Sequence, residues 1–568
     1  MNTLTRKALA VALALACSCV AFGCSAQTPS SSTSASSQQS AAAPSGSPST
    51  PSGSPSTPSN SSQASSQQSA AATEAYLSGT SFAPATEAAI NDFIAAYGRG
   101  ASSWDKSAYV VSDFDNTISI FDIANQCNAY QLQTMAFALD PAGLRVALAA
   151  GIDEAADDNA LWLDDIESAY RHLWETYGPF APTGLDEQGQ AAVQADPQWM
   201  EFAAKMKAFH EHVEKTIDDP TACAWVLHWC SGMTEDEVYN LFKRSCETYR
   251  DTDTEPIVWK SPESVKSKVG EVSCEFPLGV SVTDDVKEMF RAYNNNGIDV
   301  WVCSASHADG VRAAVDVYGL SDCIHGVIGM TQKAEGGVYV PAYDWETGYA
   351  WLNAGGGKWV KTDGAIRALP SREGKVQAIE NALVPLYGCG PLAGFMDASG
   401  DFNFCTEFDT MKMVICYNRA DRKITEGAGL VGVVAVYQQD SLGYDLATAN
   451  AAGDTYYLLQ GRDENGKRTL RPSNDTVKLG QTEPRLFANA DNEALLTYLK
   501  DHGLTTAEAF GTFAVHREAD DPDNVLGIAY GHLTEYDGYH SHDGVPSGEV
   551  ALPMDGASSG ESALPKAA

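Results

Sequence analysis

The feature that most constrains the fold of this chain is an apolar run that ends abruptly in two aspartates. Residues 109–112, with the sequence YVVS, lead directly into Asp113 and Asp115 in the string DFDNT. A short apolar run of this kind is typical of a buried strand, and ligands of open α/β sheets bind at the carboxyl ends of strands. Two carboxylates so close together need a cation to stay ionised. Taken alone, an acidic turn after a strand would explain the pattern equally well.

Three later segments carry polar side chains at positions that suit chemistry. The apolar run 298–303 ends at Ser304, whose hydroxyl can donate to a phosphoryl oxygen, although a loop-capping hydroxyl is the simpler explanation. Lys375 stands at the start of an amphipathic helix, where its charge adds to the helix dipole in holding an anion, although most such lysines are surface residues. Another apolar run ends in a second acidic pair, Asp397 and Asp401. Carboxylates are preferred ligands of hard cations.

The order of these four segments is more specific than any one of them. A strand with DxDxT, a strand with Ser, a helix with Lys and a strand with DxxxD follow one another within residues 76–419. This series resembles the haloacid dehalogenase-like hydrolase superfamily. The strings DFDNTISIFD, GIDVWVCSAS and DASGDFNFCTEFDTMKMVICYNR are most similar to its phosphoserine and phosphorylcholine phosphatase branch, and YYLLQGRDENG is similar to exported members of that branch. We therefore expect a phosphoric monoester hydrolase.

The resemblance implies a role for each motif residue. Asp113 would attack phosphorus and form an aspartyl-phosphate, while Asp115 would protonate the leaving alkoxide and then activate water. The implied cofactor is Mg²⁺, with Asp113, the backbone carbonyl of Asp115, and Asp397 as its ligands. Asp401 would orient these ligands without contacting the metal itself. The substrate phosphate would be held by the two remaining motif residues, Ser304 and Lys375.

The same reasoning predicts an α/β fold with a Rossmann-like, three-layer core built on a parallel sheet at residues 76–420. Much of the gap between the first and second motifs has helical periodicity, and Thr234 with Glu237 forms a capping-box pair. We expect a large, mainly helical cap at about residues 140–280, because the periodic segments there are 162–177, 202–213 and 235–249. A cap over the site would exclude water and admit only small substrates. The expected partner is therefore a small phosphorylated metabolite.

The chain continues well beyond the fourth motif. Residues 429–437 are rich in Val and Gly, residues 463–466 supply a turn signal, and residues 488–499 have a helical pattern. These features predict a C-terminal α/β extension at residues 421–546. The remaining residues, 547–568, are expected to be a disordered tail.

The N-terminal residues predict export and lipid anchoring. A short basic region and a small apolar stretch end at Cys24, which resembles a bacterial lipoprotein signal at residues 1–24 with Cys24 as the lipidated residue. An ordinary secretory signal is the alternative, because the residues before Cys24 fit the lipoprotein pattern imperfectly. Residues 25–75 are mainly Ser, Pro, Gln, Gly, Ala and Thr, which predicts a disordered tether. We expect a protein anchored by its lipid at the outer face of the bacterial membrane or in the cell envelope.

The formal net charge of −37 argues against several kinds of partner. Such an acidic surface repels nucleic acid and anionic lipid headgroups, so we expect no nucleic-acid partner and no membrane contact except the lipid anchor. It also repels phosphorylated substrates unless positive charge gathers in the site. Ten cysteines follow Cys24, and export would permit disulfides. Cys303 and Cys416, however, lie in apolar runs typical of buried thiols.

Departures from the family pattern leave a second function open. Met396 precedes the fourth motif where related sequences commonly have Gly, and Ala124 and Asn125 replace a pair of acids that hold choline in phosphorylcholine phosphatases. Phe121 and Tyr130 could form a cation–π wall instead, but packing of the following helix is the favoured interpretation. The first hypothesis remains a small-molecule phosphomonoesterase. The alternative is a surface lipoprotein that binds a ligand or partner on a catalytically weakened phosphatase fold.

Overall fold

The computed structural model describes residues 75–510, except for 105, 218, 251, 253–255, 343–347, 363–368 and 425–426. The predicted signal peptide with Cys24, nearly all of the tether and everything after residue 510 lie outside the described residues. Within the described part, each helix is too short or too polar to span a lipid bilayer.

The centre of the fold is a sheet of eight strands in the order β12-β11-β10-β1-β4-β5-β8-β9. Neighbouring strands from β12 to β5 run parallel, and β8 and β9 continue the sheet in antiparallel orientation. The predicted α/β class with a Rossmann-like parallel sheet is confirmed. The strands are β1 (Tyr109–Ser112), β2 (Pro256–Lys260), β3 (Ser273–Pro277), β4 (Asp299–His307), β5 (Ile324–Met330), β6 (Ala334–Glu335), β7 (Val338–Tyr339), β8 (Ala350–Asn353), β9 (Trp359–Lys361), β10 (Ala393–Met396), β11 (Met413–Tyr417), β12 (Tyr456–Gln460), β13 (Arg462–Asp463) and β14 (Thr469–Leu470).

Helices cover both faces of this sheet, which explains why its strands are apolar runs and not alternating patterns. In β4, Val300 and Val302 face one hydrophobic core, whereas Trp301 and Cys303 face the other. The α-helices are α1 (Pro84–Tyr97), α2 (Ile123–Thr134), α3 (Pro141–Ala149), α4 (Asn159–Tyr177), α5 (Glu187–Gln194), α6 (Pro197–Thr216), α7 (Asp219–Trp225), α8 (Glu235–Tyr249), α9 (Asp284–Asn295), α10 (Ala308–Val317), α11 (Glu373–Ala382), α12 (Val384–Tyr387), α13 (Phe402–Glu407), α14 (Ala428–Tyr437), α15 (Leu446–Ala452) and α16 (Ala490–His502). The first core packs α1, α9 and α10 on the sheet, and the second packs α11, α13, α14 and α16.

The residues between the first two motifs form helices where the periodicity predicts them. The segments at 162–177 and 202–213 lie within α4 and α6, and the segment at 235–249 is α8. Helices α3, α4 and α6 and the β2–β3 hairpin share a separate hydrophobic core. Helix α8 differs from them, because Leu241 and Phe242 are buried in the first core, against α10. This helix therefore packs largely on the Rossmann-like core.

The predicted capping box of α8 is present. The Thr234 hydroxyl accepts from the Glu237 amide at 3.3 Å, and the Glu237 carboxylate accepts from the Thr234 amide at 2.8 Å.

Replacing Thr234 by Ala is expected to lower the free energy of unfolding by about 1 kcal/mol, measured by urea denaturation. Thr248→Ala is the matched control, because Thr248 is exposed later in the same helix. Equal losses in the two variants would contradict a capping role.

The C-terminal extension contributes an edge strand to the main sheet, because β12 pairs with β11 over five residue pairs. The Val- and Gly-rich segment forms α14, in which all ten residues are buried. A helix that is apolar on every side must be covered on every side, and α14 lies between the sheet and α16. The helix predicted at 488–499 corresponds to α16, and the turn predicted at 463–466 joins β13 to β14.

Candidate active site

The four motifs meet at the carboxyl edge of the main sheet. Strand β1 lies between β4 and β10, and in a parallel sheet the carboxyl ends of neighbouring strands share one edge. Asp113 follows β1 directly, and Asp397 follows β10. The Asp113 amide donates to the carbonyl of Phe395 in β10 at 3.1 Å. The first and fourth motifs are therefore held side by side.

Lys375 lies between two of the motif carboxylates. Its Nζ is 2.6 Å from Asp113 Oδ1 and 2.5 Å from Asp401 Oδ1, and its side chain is 1% exposed. Burial alone would lower the pKa of Lys375, but the carboxylates of Asp113 and Asp401 raise it above its ordinary value. The ammonium group therefore stays charged. It supplies fixed positive charge at the place where the sequence predicts a phosphate.

Three buried carboxylates form a cluster that fits a divalent cation. Asp113, Asp397 and Asp401 each contribute an oxygen, and these oxygens lie within 4.8 Å of one another. A donor set made only of oxygens suits a hard cation such as Mg²⁺. Burial, and next the Asp401 carboxylate, raise the pKa of Asp113 well above its usual range, and Lys375 only partly opposes this. A cation among these groups would favour their ionised forms.

Asp401 occupies a supporting position within this cluster. Its Oδ1 accepts from Lys375, and its Oδ2 accepts from the backbone amides of Asp397 and Ala398 at 3.2 and 3.3 Å. Both oxygens are thus engaged by the protein itself. These bonds tie Asp401 to Lys375 and to the backbone of the fourth motif, so they suit Asp401 to orient Asp397.

Two arginines contact Asp397, and the sequence reasoning missed both. Arg419 NH1 lies 3.1 Å from Asp397 Oδ2 and Arg422 NH2 lies 3.6 Å from it, whereas Thr117 donates to Oδ1 at 3.3 Å. Both arginines lie in the loop after β11, at the same sheet edge. The string NRADRK directly after a predicted strand could have indicated them, because it places two guanidinium groups beside the fourth motif.

Asp115 is held by hydroxyl and amide donors. Ser306 Oγ donates to Asp115 Oδ2 at 2.5 Å, and the Ile123 amide donates to Oδ1 at 2.7 Å. Ser304 Oγ is farther from Oδ2, at 3.5 Å. The sequence placed Ser304 at the end of its strand, but β4 continues to His307, so that expectation was wrong. Ser306 was missed because the apolar run stops at Ser304, although residues two apart share one face of a strand.

A further acid, the half-buried Asp122, lies close to Asp115. It caps α2 by accepting from the Asn125 amide at 2.8 Å. Burial is the main cause that raises the pKa of Asp115, and the charges of Asp122 and Asp113 add to it. Burial raises the pKa of Asp122, and it is opposed first by the amides of Asn125 and Ala124 and then by the charges of Lys207 in α6 and of Arg419. These couplings place a lysine of the predicted cap within electrostatic reach of the site.

The two aromatic residues and two cysteines that the sequence brings to attention make packing contacts. Phe121 is buried in the first core, and Tyr130 packs edge-on against Tyr249 with ring centroids 6.4 Å apart. The packing interpretation of these two aromatic residues is therefore confirmed. Cys303 and Cys416 are buried thiols, as expected, and burial raises the pKa of Cys303 to about 12.

Comparison with known proteins supports the fold alone. No protein-family model and no curated protein matches the chain. A solved structure from Anaerococcus prevotii DSM 20548, described as a conserved functionally unknown protein, covers 72% of this chain and 99% of its own, with TM-score 0.56 and 23% identity. A protein of unknown function from Bordetella pertussis Tohama I covers 55% and 90%, with TM-score 0.26 and 11% identity. Cytosolic 5'-nucleotidase IIIB bound to cytidine covers 59% and 78%, with TM-score 0.23 and 13% identity. The last two similarities are too low to support an argument.

Proposed function

We propose that this chain is a Mg²⁺-dependent phosphoric monoester hydrolase of the haloacid dehalogenase-like type, acting through an aspartyl-phosphate on Asp113. The observation that carries the proposal is the contrast between two aspartates two residues apart. Asp113 is bonded to the Lys375 ammonium, whereas Asp115 is bonded to a hydroxyl and an amide and has no ion pair among the described residues. Different partners of this kind suit Asp113, beside a cation, for nucleophilic attack as a carboxylate and suit Asp115, which lacks one, for proton transfer.

The first chemical step forms the phosphoenzyme. Asp113 Oδ2, the oxygen that Lys375 does not hold, attacks phosphorus while the bond from phosphorus to the leaving oxygen breaks. Asp115 donates its proton to the leaving oxygen, so the alcohol departs in neutral form. The hydrogen bond from Ser306 and the amide of Ile123 hold the Asp115 carboxyl group in a fixed orientation for this transfer.

The second step returns the enzyme to its starting state. A water molecule attacks phosphorus, Asp115 accepts the proton of this water, and the bond between phosphorus and Asp113 Oδ2 breaks. Inorganic phosphate is released, with Asp113 again a carboxylate and Asp115 again protonated. Mg²⁺ bound by Asp113 and Asp397 would neutralise charge on the phosphoryl oxygens.

Fixed positive charge at the sheet edge makes a phosphorylated substrate compatible with a chain of net charge −37. Lys375, Arg419 and Arg422 all lie within ion-pair distance of the clustered carboxylates. Preorganised cations of this kind stabilise the charge of a transferring phosphoryl group. The proposed substrate is a small phosphomonoester. Because Asp122 adds a half-buried acid beside the site, substrates with an ammonium group, such as phosphorylcholine or phosphoserine, belong in its test panel.

We also propose that the chain is exported and held at the outer face of the membrane by a lipid on Cys24. The short apolar stretch ending at Cys24 and the Ser- and Pro-rich tether after it support this location. Mass spectrometry of the protein purified from membranes would show an N-terminal diacylglyceryl Cys24, and a Cys24→Ala variant is expected to leave the membrane fraction.

The activity is tested by phosphate release from p-nitrophenyl phosphate, phosphocholine, phosphoethanolamine, phosphoserine and sugar phosphates, with Mg²⁺ or with EDTA. We expect release that depends on Mg²⁺ and that is fastest for one small ester. Absence of release from every ester would overturn the enzyme proposal. It would favour a surface lipoprotein that binds a ligand or partner on a phosphatase fold, which Met396 at the fourth motif already makes worth testing.

Asp115→Asn is expected to lower kcat by about 10²- to 10⁴-fold for alkyl phosphates, because the variant cannot protonate an alkoxide. The loss should be much smaller for p-nitrophenyl phosphate, whose leaving group departs without a proton. Initial rates on phosphoethanolamine and p-nitrophenyl phosphate measure the difference. An equal loss on both esters would indicate that Asp115 acts only in positioning.

A further inference from the structure

The loop after β1, residues 113–119, contains a residue in a left-handed conformation directly after Asp115, and we call it the catalytic loop. Asn116 has φ +61°, a region that Asn enters more readily than most side chains but less readily than Gly. Its amide donates to the Phe121 carbonyl at 3.3 Å, which is a long hydrogen bond. Contacts from elsewhere in the fold therefore decide how firmly this conformation is held. The position of Asn116 matters because Asp115 and Thr117 flank it and both reach the site.

Arg462, in the C-terminal extension, donates two hydrogen bonds to Asn116. Its NH1 donates to the Asn116 carbonyl at 2.7 Å, and its NH2 donates to Asn116 Oδ1 at 3.2 Å. The two residues are 346 positions apart in the chain, and Arg462 is 1% exposed. A planar guanidinium that binds two acceptors of one residue fixes its direction as well as its distance.

Glu464 fixes the arginine in turn. Its Oε1 accepts from Arg462 Nε at 3.1 Å and from NH2 at 2.7 Å, and its Oε2 accepts from the Leu479 amide at 3.1 Å. Although burial opposes ionisation, Arg462 and Lys478 lower the pKa of Glu464 to about 2. The buried pair is therefore charged at neutral pH and restricts Arg462 to one orientation.

We infer that Arg462 is a positioning residue of the active site, and that the C-terminal extension is needed to hold the catalytic loop in its reactive form. This inference rests on the proposed function for its effect on turnover. Among the described residues, the Arg462 guanidinium donates to Asn116 and Glu464 and not to the reacting carboxylates. It acts through the backbone between Asp115 and Thr117, whose hydroxyl contacts Asp397.

The test compares Arg462→Gln and Arg462→Lys with Arg471→Gln in the full chain. Arg471 lies in the same segment and pairs with Asp475 at 3.4 Å, so it controls for loss of an arginine there. We expect amide hydrogen exchange at residues 113–119 to accelerate about tenfold in the Arg462 variants. We expect kcat to fall about 100-fold, as for a misplacement of about 1 Å, with KM little changed. Arg462→Lys should recover little, because an ammonium cannot bind both acceptors as a planar fork does.

Unchanged exchange at residues 113–119 in folded Arg462→Gln would overturn the inference, and so would an equal change in Arg471→Gln. If Arg462→Gln fails to fold, Glu464→Gln takes its place, since it removes the carboxylate that orients Arg462 and leaves the catalytic loop itself unchanged. The exchange measurement does not depend on turnover. A wild-type chain that releases no phosphate would therefore refute the proposed function while leaving the positioning of this loop testable.

Discussion

Phosphate release is expected to fall by about four orders of magnitude or more when Asp113 is replaced by Asn. The amide group of Asn cannot attack phosphorus to form the acyl phosphate, so the covalent route is closed. The remaining binding groups, above all Lys375 beside Asp401, would stay in place. Initial rates on p-nitrophenyl phosphate measure the loss, and intact-mass spectrometry after acid quenching should detect a phosphorylated chain only in the wild type.

Asp284→Asn is the matched control for Asp113→Asn, because the Asp284 side chain is 90% exposed at the start of α9. Its activity should equal that of the wild type. Retention of more than about 1% of the activity by Asp113→Asn would show that another group is the nucleophile. Thermal unfolding of both variants is needed beside the rates, since Asp113 is buried and its loss must not be confused with unfolding.

The sequence was informative wherever an element carries its own local signal. The run YVVS ends at Asp113, and the structure places β1 there with all four residues buried. Thr234 and Glu237 form the capping box that their spacing predicts. These features depend on neighbours within one turn of helix or one strand, so periodicity and capping rules are sufficient to find them.

The end of a strand is harder to predict, because the last apolar residue of a run is not always the last residue of the strand. Ser304 was taken as the last residue of its strand, yet β4 extends three residues further, and Ser306 is the closer partner of Asp115. A polar residue that follows apolar ones suggests that the strand has ended. The pairing of β4 with β5 is irregular between Cys303 and His307, and such irregularities next to a site re-aim side chains without ending the strand.

Contacts between distant segments had no local signal at all. Arg462 and Asn116 meet only because β12 lies at the edge of the main sheet and β13 follows it, so that topology brings the extension behind the first motif. Arg419 differs in part, because the string NRADRK after a predicted strand is a local signal, but its partner Asp397 follows the neighbouring strand β10. Such pairs require the strand order, which a single sequence does not supply.

The second large effect is expected at Lys375. Lys375→Met keeps a chain of similar length but removes the buried cation between Asp113 and Asp401. Removing one partner of a buried ionic network typically costs about 3–5 kcal/mol, because the carboxylates are then left buried without compensation. We expect the free energy of unfolding to fall by this amount in EDTA, measured by urea denaturation. Mg²⁺ should restore part of it, since it would bind the same carboxylates.

Lys287→Met provides the comparison, because Lys287 pairs with the exposed Asp284 at 3.0 Å on the surface of α9. An exposed pair of this kind contributes about 1 kcal/mol or less. The loss of unfolding free energy should therefore be several-fold smaller for Lys287→Met than for Lys375→Met. Equal stability would mean that Asp113 and Asp401 are protonated together and that Lys375 faces no buried charge. In that case neither a nucleophilic Asp113 nor a cation site at this sheet edge would be tenable, because both require ionised carboxylates.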